Sequence, residues 1–268
     1  MLTTIPFPIG VAAVGAITLA AWRFRALTGS GALAALAVGT ASIAAGAAWA
    51  VLLVLFFVTS TALSRAPRPA ASGADVTAVA GRSGPRDAIQ VMANGAIFAA
   101  AALAGLWTGE ATGNALWTAI GGGAIATATA DTWSSEVGTR WGGTPRHILS
   151  GAPVPSGTSG GITLLGSLAA AAGALVTSTV AQGVQFGVSL TAMVTGGLAG
   201  ALADSIVGAT VQERRWCDTC AAATERRVHH CGSSTRIIGG VERFDNDAVN
   251  LTSILIGASI TCLLSLLS

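Results

Sequence analysis

The chain has 268 residues, 52% of them apolar and 10% charged, with a mean hydropathy of +0.68 and a formal net charge of +2. That composition excludes a water-soluble globular domain and indicates a polytopic membrane protein. Lysine is absent, so all 14 basic residues are arginines; a lysine-dependent phosphate loop is excluded, and no nucleic-acid partner is expected. The 35 glycines and long alanine runs let helices approach closely, which is how they pack where lipid supplies no hydrophobic drive.

In chain order, Met1 to Ala21 has the apolarity of a signal peptide but lacks a basic n-region. Arg23 and Arg25 follow the run instead of preceding it, so it reads as a retained first helix. Further runs long enough to span lie at 88–107, 113–130, 159–180, 186–210 and 248–267, beside the first at 5–22. The uncharged stretch 30–63 is too long for one helix. Split near Gly46 it gives eight helices; kept whole and tilted it gives seven.

Arginine placement decides between these counts. Eight helices with the N-terminus outside put every arginine into four cytoplasmic segments, 23–29, 64–87, 131–158 and 211–247. The outer turns then hold a single charge, Glu110, whereas seven helices scatter arginines over both sides. The expected architecture is an all-α transmembrane bundle of about eight helices. It forms one integral domain over 1–268, multi-pass in the cell membrane, with its polar face cytoplasmic and a Cys/His loop at 211–247.

Five constellations carry the chemistry. Arg82-Ser83-Gly84-Pro85-Arg86-Asp87 leads into a helix on which Gln90 and Asn94 share a face. These arginines suit bidentate phosphate contacts. The two amides serve either a substrate or helix–helix adhesion. Arg65 and Arg68 read as topology signals at the lipid headgroups.

Next comes Ala130-Asp131-Thr132-Trp133-Ser134-Ser135-Glu136-Val137-Gly138, where a carboxylate at the rim of a span is costly and marks function. Asp131 and Ser135 are four apart, as are Thr132 and Glu136, so each pair shares a face if the helix continues. Such oxygen-rich groups suit Mg²⁺ together with substrate phosphates. Arg140, Arg146 and His147 follow, then Pro155-Ser156-Gly157-Thr158-Ser159-Gly160-Gly161. The free amides and hydroxyls of that turn can receive an anion; the plain alternative is a flexible turn with an N-cap. Trp133 and Trp141 read as interfacial belt residues.

Gly196, Gly200 and Gly208 make a packing ridge that Asp204 and Ser205 interrupt. An uncompensated Asp204 near the inner helix end would cost several kcal/mol, so a metal or an arginine is expected beside it. Cys217-x-x-Cys220 with His229 and Cys231 fits a structural zinc site. His229 is the easier companion of Cys231, because adjacent residues such as His230 and Cys231 rarely reach one ion together. Reduced cytoplasmic thiols are the alternative, and Cys262 lies apart in the last run. Finally, Asp245-Asn246-Asp247 with Asn250 opens the last helix; Asp and Asn are the usual N-caps, but two of each exceed what a cap requires.

The motifs Ala130 to Gly138, Pro155-x-Gly157-Thr158-Ser159-Gly160-Gly161, Asp204-Ser205-x-x-Gly208-Ala209-Thr210-Val211-Gln212 and Asp245-Asn246-Asp247-x-Val249-Asn250 resemble the transmembrane protein 19 family. These are integral membrane proteins that include the chloroplast phytyl-phosphate kinase. The likeness runs from about Gln90 to Asn250, with Gln90-Val91-Met92-Ala93-Asn94-Gly95 also in pattern. More distantly, the motif order is similar to that of CTP-dependent polyprenol kinases and CDP-lipid synthases. The resemblance implies phosphoryl transfer from a nucleoside triphosphate, CTP or another, to an isoprenoid or phytyl-type monophosphate.

On this reading Asp131, Glu136, Asp204 and Asp247 are catalytic, and Asp131, Asp204, Asp245 and Asp247 ligate Mg²⁺. Arg82, Arg86, Gln90, Asn94, Ser135, Arg140, Arg146, Gly157, Thr158, Ser159, Gly160, Gly161, Ser205, Asn246 and Asn250 hold the substrates. Cys217, Cys220, His229 and Cys231 are the zinc set. Partners are the lipid phosphate, the nucleotide and membrane lipids, with a homo-oligomer left open. The rivals are a cytidylyltransferase making a CDP-lipid, and a lipid or small-molecule transporter, which predicts polar residues at the bilayer midplane.

Overall fold

A computed structural model describes residues 6–67, 84–109 and 115–267. Arg68, Arg82 and Glu110 lie outside the described residues. Within them the chain is a helical membrane protein of eight helices: α1 Phe7–Arg23, α2 Gly29–Ala45, α3 Ala47–Arg65, α4 Ala88–Trp107, α5 Ala115–Trp141, α6 Leu164–Gly183, α7 Leu190–Thr210 and α8 Asn246–Leu267. Of these, α3, α4, α6, α7 and α8 are long and apolar enough to cross a membrane, and α1 and α2 are shorter apolar helices.

The break near Gly46 is present. Gly46 takes φ 128°, a region open to glycine, and separates α2 from α3 with no further linker. The chain doubles back there: the start of α2 bonds to Arg86, while Arg65 at the end of α3 donates to Phe24 O beside it.

The same end of the bundle gathers the other inner ends. Arg140 of α5 donates to Ser64 O and Ala66 O, Gly160 before α6 packs on Ala209 of α7, and Asn250 of α8 reaches Asp204. The C-terminal ends of α1, α3, α5 and α7 therefore meet the N-terminal ends of α2, α4, α6 and α8 on one face.

Helix α5 is the axis, packed against α3, α4, α6, α7 and α8. Every residue from 121 to 130 is buried, and all are Gly, Ala, Ile or Thr. Small residues permit this: Gly122 lies under the Met193 sulfur, a Cβ at Gly197 would stand 3.1 Å from Ala126 Cβ, and one at Gly173 would stand 3.3 Å from Ala130 Cα. Trp49 closes the far end of the core, with ring centroids 4.9 Å from Phe98 and 4.8 Å from Phe186.

Several boundaries differ from the apolar runs. Helix α5 does not end at Ala130 but continues to Trp141, and its 27 residues span about 40 Å, more than the hydrocarbon thickness. The motif from Asp131 to Gly138 thus rides on a continuing helix, and the four-residue pairings hold. Helix α6 starts at Leu164, where Thr163 Oγ1 accepts from Gly166 N at 3.0 Å, so the Gly157–Gly161 turn stands outside it. The polar loops also carry short strands. β1 Arg146–His147 pairs antiparallel with β2 Gly161–Ile162, and β3 Arg214–Cys217 lies between β4 Ala222–Thr224 and β5 Arg236–Gly239.

Candidate active site

The gathered helix ends enclose a polar cavity of about 1090 Å³, at the upper limit of ordinary ligand pockets. Its wall carries Arg25, Arg65, Arg86, Arg140, Arg226 and Arg227 with Asp131, Glu136, Asp204, Glu213, Glu225, Asp245 and Asp247. Opposite charges at this density do not form a hydrophobic binding slot. They suit a polyanion and a cation together.

On one side, Asp131 of α5 and Asp204 of α7 are in hydrogen-bonding contact, both half-buried. Two carboxylates at contact repel strongly where water is scarce, and a divalent cation between them removes the repulsion. The Asn250 amide, oriented to donate, reaches Asp204 Oδ2 at 3.1 Å and Asn246 O at 3.2 Å. Ser253 also contacts Asp204 and donates to Asn250 O at 2.9 Å. Asp247 is buried one turn before Asn250 on α8 and faces the same cavity. This oxygen-donor set fits Mg²⁺.

Asp245 also lines the cavity, but its Oδ1 accepts from the amides of Asp247 and Ala248, both at 3.2 Å. It is the N-cap of α8.

On the opposite side, Glu136 is not free to ligate a metal. It forms an ion pair with Arg140 one turn on and accepts from Ser64 Oγ. Arg140, 6% exposed, also donates to Ser64 O and Ala66 O, so it clamps α5 to the end of α3. Arg86 reaches the same corner, donating to Ser64 Oγ at 3.1 Å and Thr61 Oγ1 at 3.4 Å. Burial pulls its pKa down while Glu136 opposes the shift; an arginine so placed remains a cation with little water around it.

The third wall is the turn Gly157 to Gly161, all five residues of which face the cavity. Gly160 takes φ +76°, and a Cβ there would stand 2.9 Å from Ala209 Cα, so glycine is required twice over. Ser159 Oγ donates to Glu225, tying the turn to the Cys/His loop.

Residues 12–258 match the family described as integral membrane protein DUF92. The chain belongs to this family. It is 33% identical over 274 residues to Protein PGR of Arabidopsis thaliana, covering 93% of this chain and 92% of that one. It is 32% identical over 176 residues to an uncharacterized membrane protein of Methanocaldococcus jannaschii, covering 63% and 67%. No solved structure matches.

Most residues expected from the sequence do line one cavity: Asp131, Ser135, Glu136, Arg86, Gln90, Asn94, Arg140, Gly157 to Gly161, Asp204, Ser205, Asp245, Asn246, Asp247 and Asn250. Five of these have other duties. Besides Asp245 and the Glu136–Arg140 pair, Gln90 closes a capping box: its Oε1 accepts from Asp87 N and its N–H donates to Asp87 Oδ1. Asn94 Nδ2 donates to Gln90 O at 3.0 Å. Arg146 is not in the wall; β1 turns its guanidinium outward, where it donates to Gly151 O at 2.9 Å.

The sequence reading missed Arg25, Arg226, Arg227 and Glu225, and it assigned Arg65 to lipid headgroups although that residue lines the cavity. Trp133 is half-buried and donates to Thr59 Oγ1 at 3.2 Å, so it joins α5 to α3 rather than serving as a belt residue.

The second cluster lies in the Cys/His loop. One ligand atom from each of Cys217, Cys220, His229 and Cys231 lies within 4.8 Å of the others. Hydrogen bonds from Ser233 and His229 pull the Cys231 thiol down to about 5, whereas contact with Cys231 and burial push Cys220 up to about 11. At the base of the sheet, burial opposes ionisation of Glu213. The Arg243 amide and Arg215 guanidinium outweigh it and hold this carboxyl below its ordinary range.

Proposed function

We propose that this protein is a membrane kinase that transfers the γ-phosphoryl group of a nucleoside triphosphate, CTP favoured, to an isoprenoid or phytyl-type monophosphate at the cytoplasmic face. One observation carries the lipid acceptor. A second cavity, apolar and about 110 Å³, is lined by Val14, Ile17, Leu27, Val38, Leu53, Val54, Phe56 and Phe57 of the α1–α3 region. It shares Arg86, Gln90, Asn94 and Thr132 with the polar cavity. A guanidinium at the seam between an oily groove and a charged chamber is where a tailed phosphate would lodge its headgroup.

The chemistry needs no strong base. A lipid monophosphate is already ionised near neutral pH; its oxygen attacks the γ-phosphorus, the β–γ bridging bond breaks, and the nucleoside diphosphate leaves with that electron pair. Catalysis is then positioning and charge neutralisation. Asp131, Asp204 and Asp247 would hold Mg²⁺, which supplies charge neutralisation on the nucleotide phosphates. Arg86 orients the acceptor phosphate, and the turn Gly157 to Gly161, in which the Thr158 and Gly161 amides already bond to Pro155 O and Thr158 O, receives the nucleotide through its other amides together with Arg226 and Arg227. The arginine bias of the loops supports a cytoplasmic site. A transporter fits less well, since the polar groups gather at one end of the helices and not at mid-span.

Activity should require an apolar tail. With Mg²⁺ and γ-labelled CTP, the purified protein is expected to phosphorylate phytyl or farnesyl phosphate and to leave glycerol phosphate untouched. Filling the groove by Val54→Trp should raise KM for the lipid phosphate roughly tenfold with the nucleotide KM little changed. Equal turnover of glycerol phosphate, or an unmoved lipid KM, would overturn the tail assignment.

A further inference from the structure

We propose that Cys217, Cys220, His229 and Cys231 bind one structural zinc ion, and that this ion holds residues 225–228 in place as a wall of the polar cavity. The geometry is that of a tetrahedral site whose ion would sit among the four ligand atoms. A Zn–S bond of about 2.3 Å and a Zn–N bond of about 2.0–2.1 Å require S···S edges of about 3.8 Å and N···S edges of about 3.6 Å. Cys217 Sγ and Cys231 Sγ are 3.7 Å apart, and His229 Nδ1 is 3.4 Å from Cys231 Sγ. A disulfide would need a far shorter separation, near 2.05 Å.

The local backbone supplies both ligand pairs from tight turns. Cys217 ends β3, and the turn to β4 brings Cys220 back beside it, with Ala221 at φ 49°. His229 and Cys231 sit on the opposing turn, where His229 N donates to Ser233 O, Gly232 N donates to His229 O, and Gly232 takes φ 83°. His229 is 2% exposed, and its ring lies beside His230, with centroids 3.9 Å apart. Packing therefore holds the ring with Nδ1 towards Cys231 Sγ, as a ligand to an ion shared with that thiolate requires.

The link to the cavity is sequential and direct. Residues 225–228 join β4 to His229, and all four line the polar cavity. Thr235 Oγ1 donates to Arg226 O at 2.6 Å and to Arg227 O at 3.0 Å, and Arg215 Nε donates back to Thr235 Oγ1 at 2.8 Å. Hydrogen bonds on one side and a metal on the other fix the segment. Where activity is the readout, the inference rests on the kinase reading; metal content and protease protection do not.

The full-length chain, purified in detergent without chelator, should carry about one zinc per chain by plasma mass spectrometry. Cys220→Ser and His229→Ala should each bring that content near zero, while His230→Ala and Cys262→Ala keep it. Cobalt substitution should show thiolate-to-metal charge-transfer absorption that the first two variants lose. Tryptic cleavage after Arg226 and Arg227 should speed at least tenfold when zinc is stripped, and slow again when it is restored. A folded protein without zinc, a Cys217–Cys231 disulfide in the non-reduced peptide map, or cleavage indifferent to the metal would each overturn the assignment. Normal zinc and protection in a protein lacking phosphoryl transfer would sink the kinase reading alone.

Discussion

Asp131→Asn should lower phosphoryl transfer by about 10²–10³-fold or more, the range for removing one preorganised electrostatic contact. The substitution keeps the shape of the side chain and removes the charge. Asp131 stands against Asp204 at the meeting of α5 and α7, and Asn250 and Ser253 orient the partner carboxylate. Without one of the two charges, the site loses its hold on a divalent cation between them. The helix should stay folded, because the substitution leaves untouched the buried run 121–130, the Trp133 bond to Thr59 and the Arg140 clamp on α3. Circular dichroism and gel filtration in detergent check the fold, and the activity loss should fall on kcat. Full activity in a folded Asp131→Asn protein would remove this carboxylate from the metal site.

Arg86→Met should cost a comparable 10²–10³-fold in kcat/KM for the lipid phosphate, with a smaller change in the nucleotide KM. Arg86 is the charged residue common to the two cavities. Its guanidinium is tethered by Thr61 and Ser64 and poorly solvated, so its attraction for a phosphate is weakly screened. Arg86→Lys should recover only part of the loss, since a lysine cannot present a planar fork to phosphate oxygens. The backbone of Arg86 also bonds to Ala26 O and Thr28 N, contacts that both variants keep. An equal rise in both KM values would show a structural role instead.

The membrane architecture was legible because it rests on one-dimensional signals. Apolar runs give the spans, and Gly46 is where an uncharged run too long for one helix has to turn. The polar motifs could be grouped because arginines mark one side of the membrane. Distances were another matter. Glu136 and Arg140 are four apart on a helix, a spacing that already announces an ion pair. The Asp87 and Gln90 spacing announces a capping box, and Asp245 two residues before Asp247 announces a cap. These local competitors were readable, and they qualify the roles first expected of Glu136, Arg140, Gln90 and Asp245.

Arg25, Arg65, Arg226, Arg227 and Glu225 could not be found that way. They reach the cavity through packing between segments up to 202 residues apart in the chain. Arg146 fails for the opposite reason, because pairing of β1 with β2 turns its side chain outward.

The most direct measurement follows the label. Purified protein, Mg²⁺ and phytyl or farnesyl phosphate are incubated with CTP labelled at either the α- or the γ-phosphate, and the lipid product is separated and counted. Transfer of the γ-label, one per lipid, giving a lipid diphosphate that is absent with Asp131→Asn, is the expected result. Transfer of the α-label into a CDP-lipid, or no transfer from any nucleoside triphosphate, would contradict a kinase.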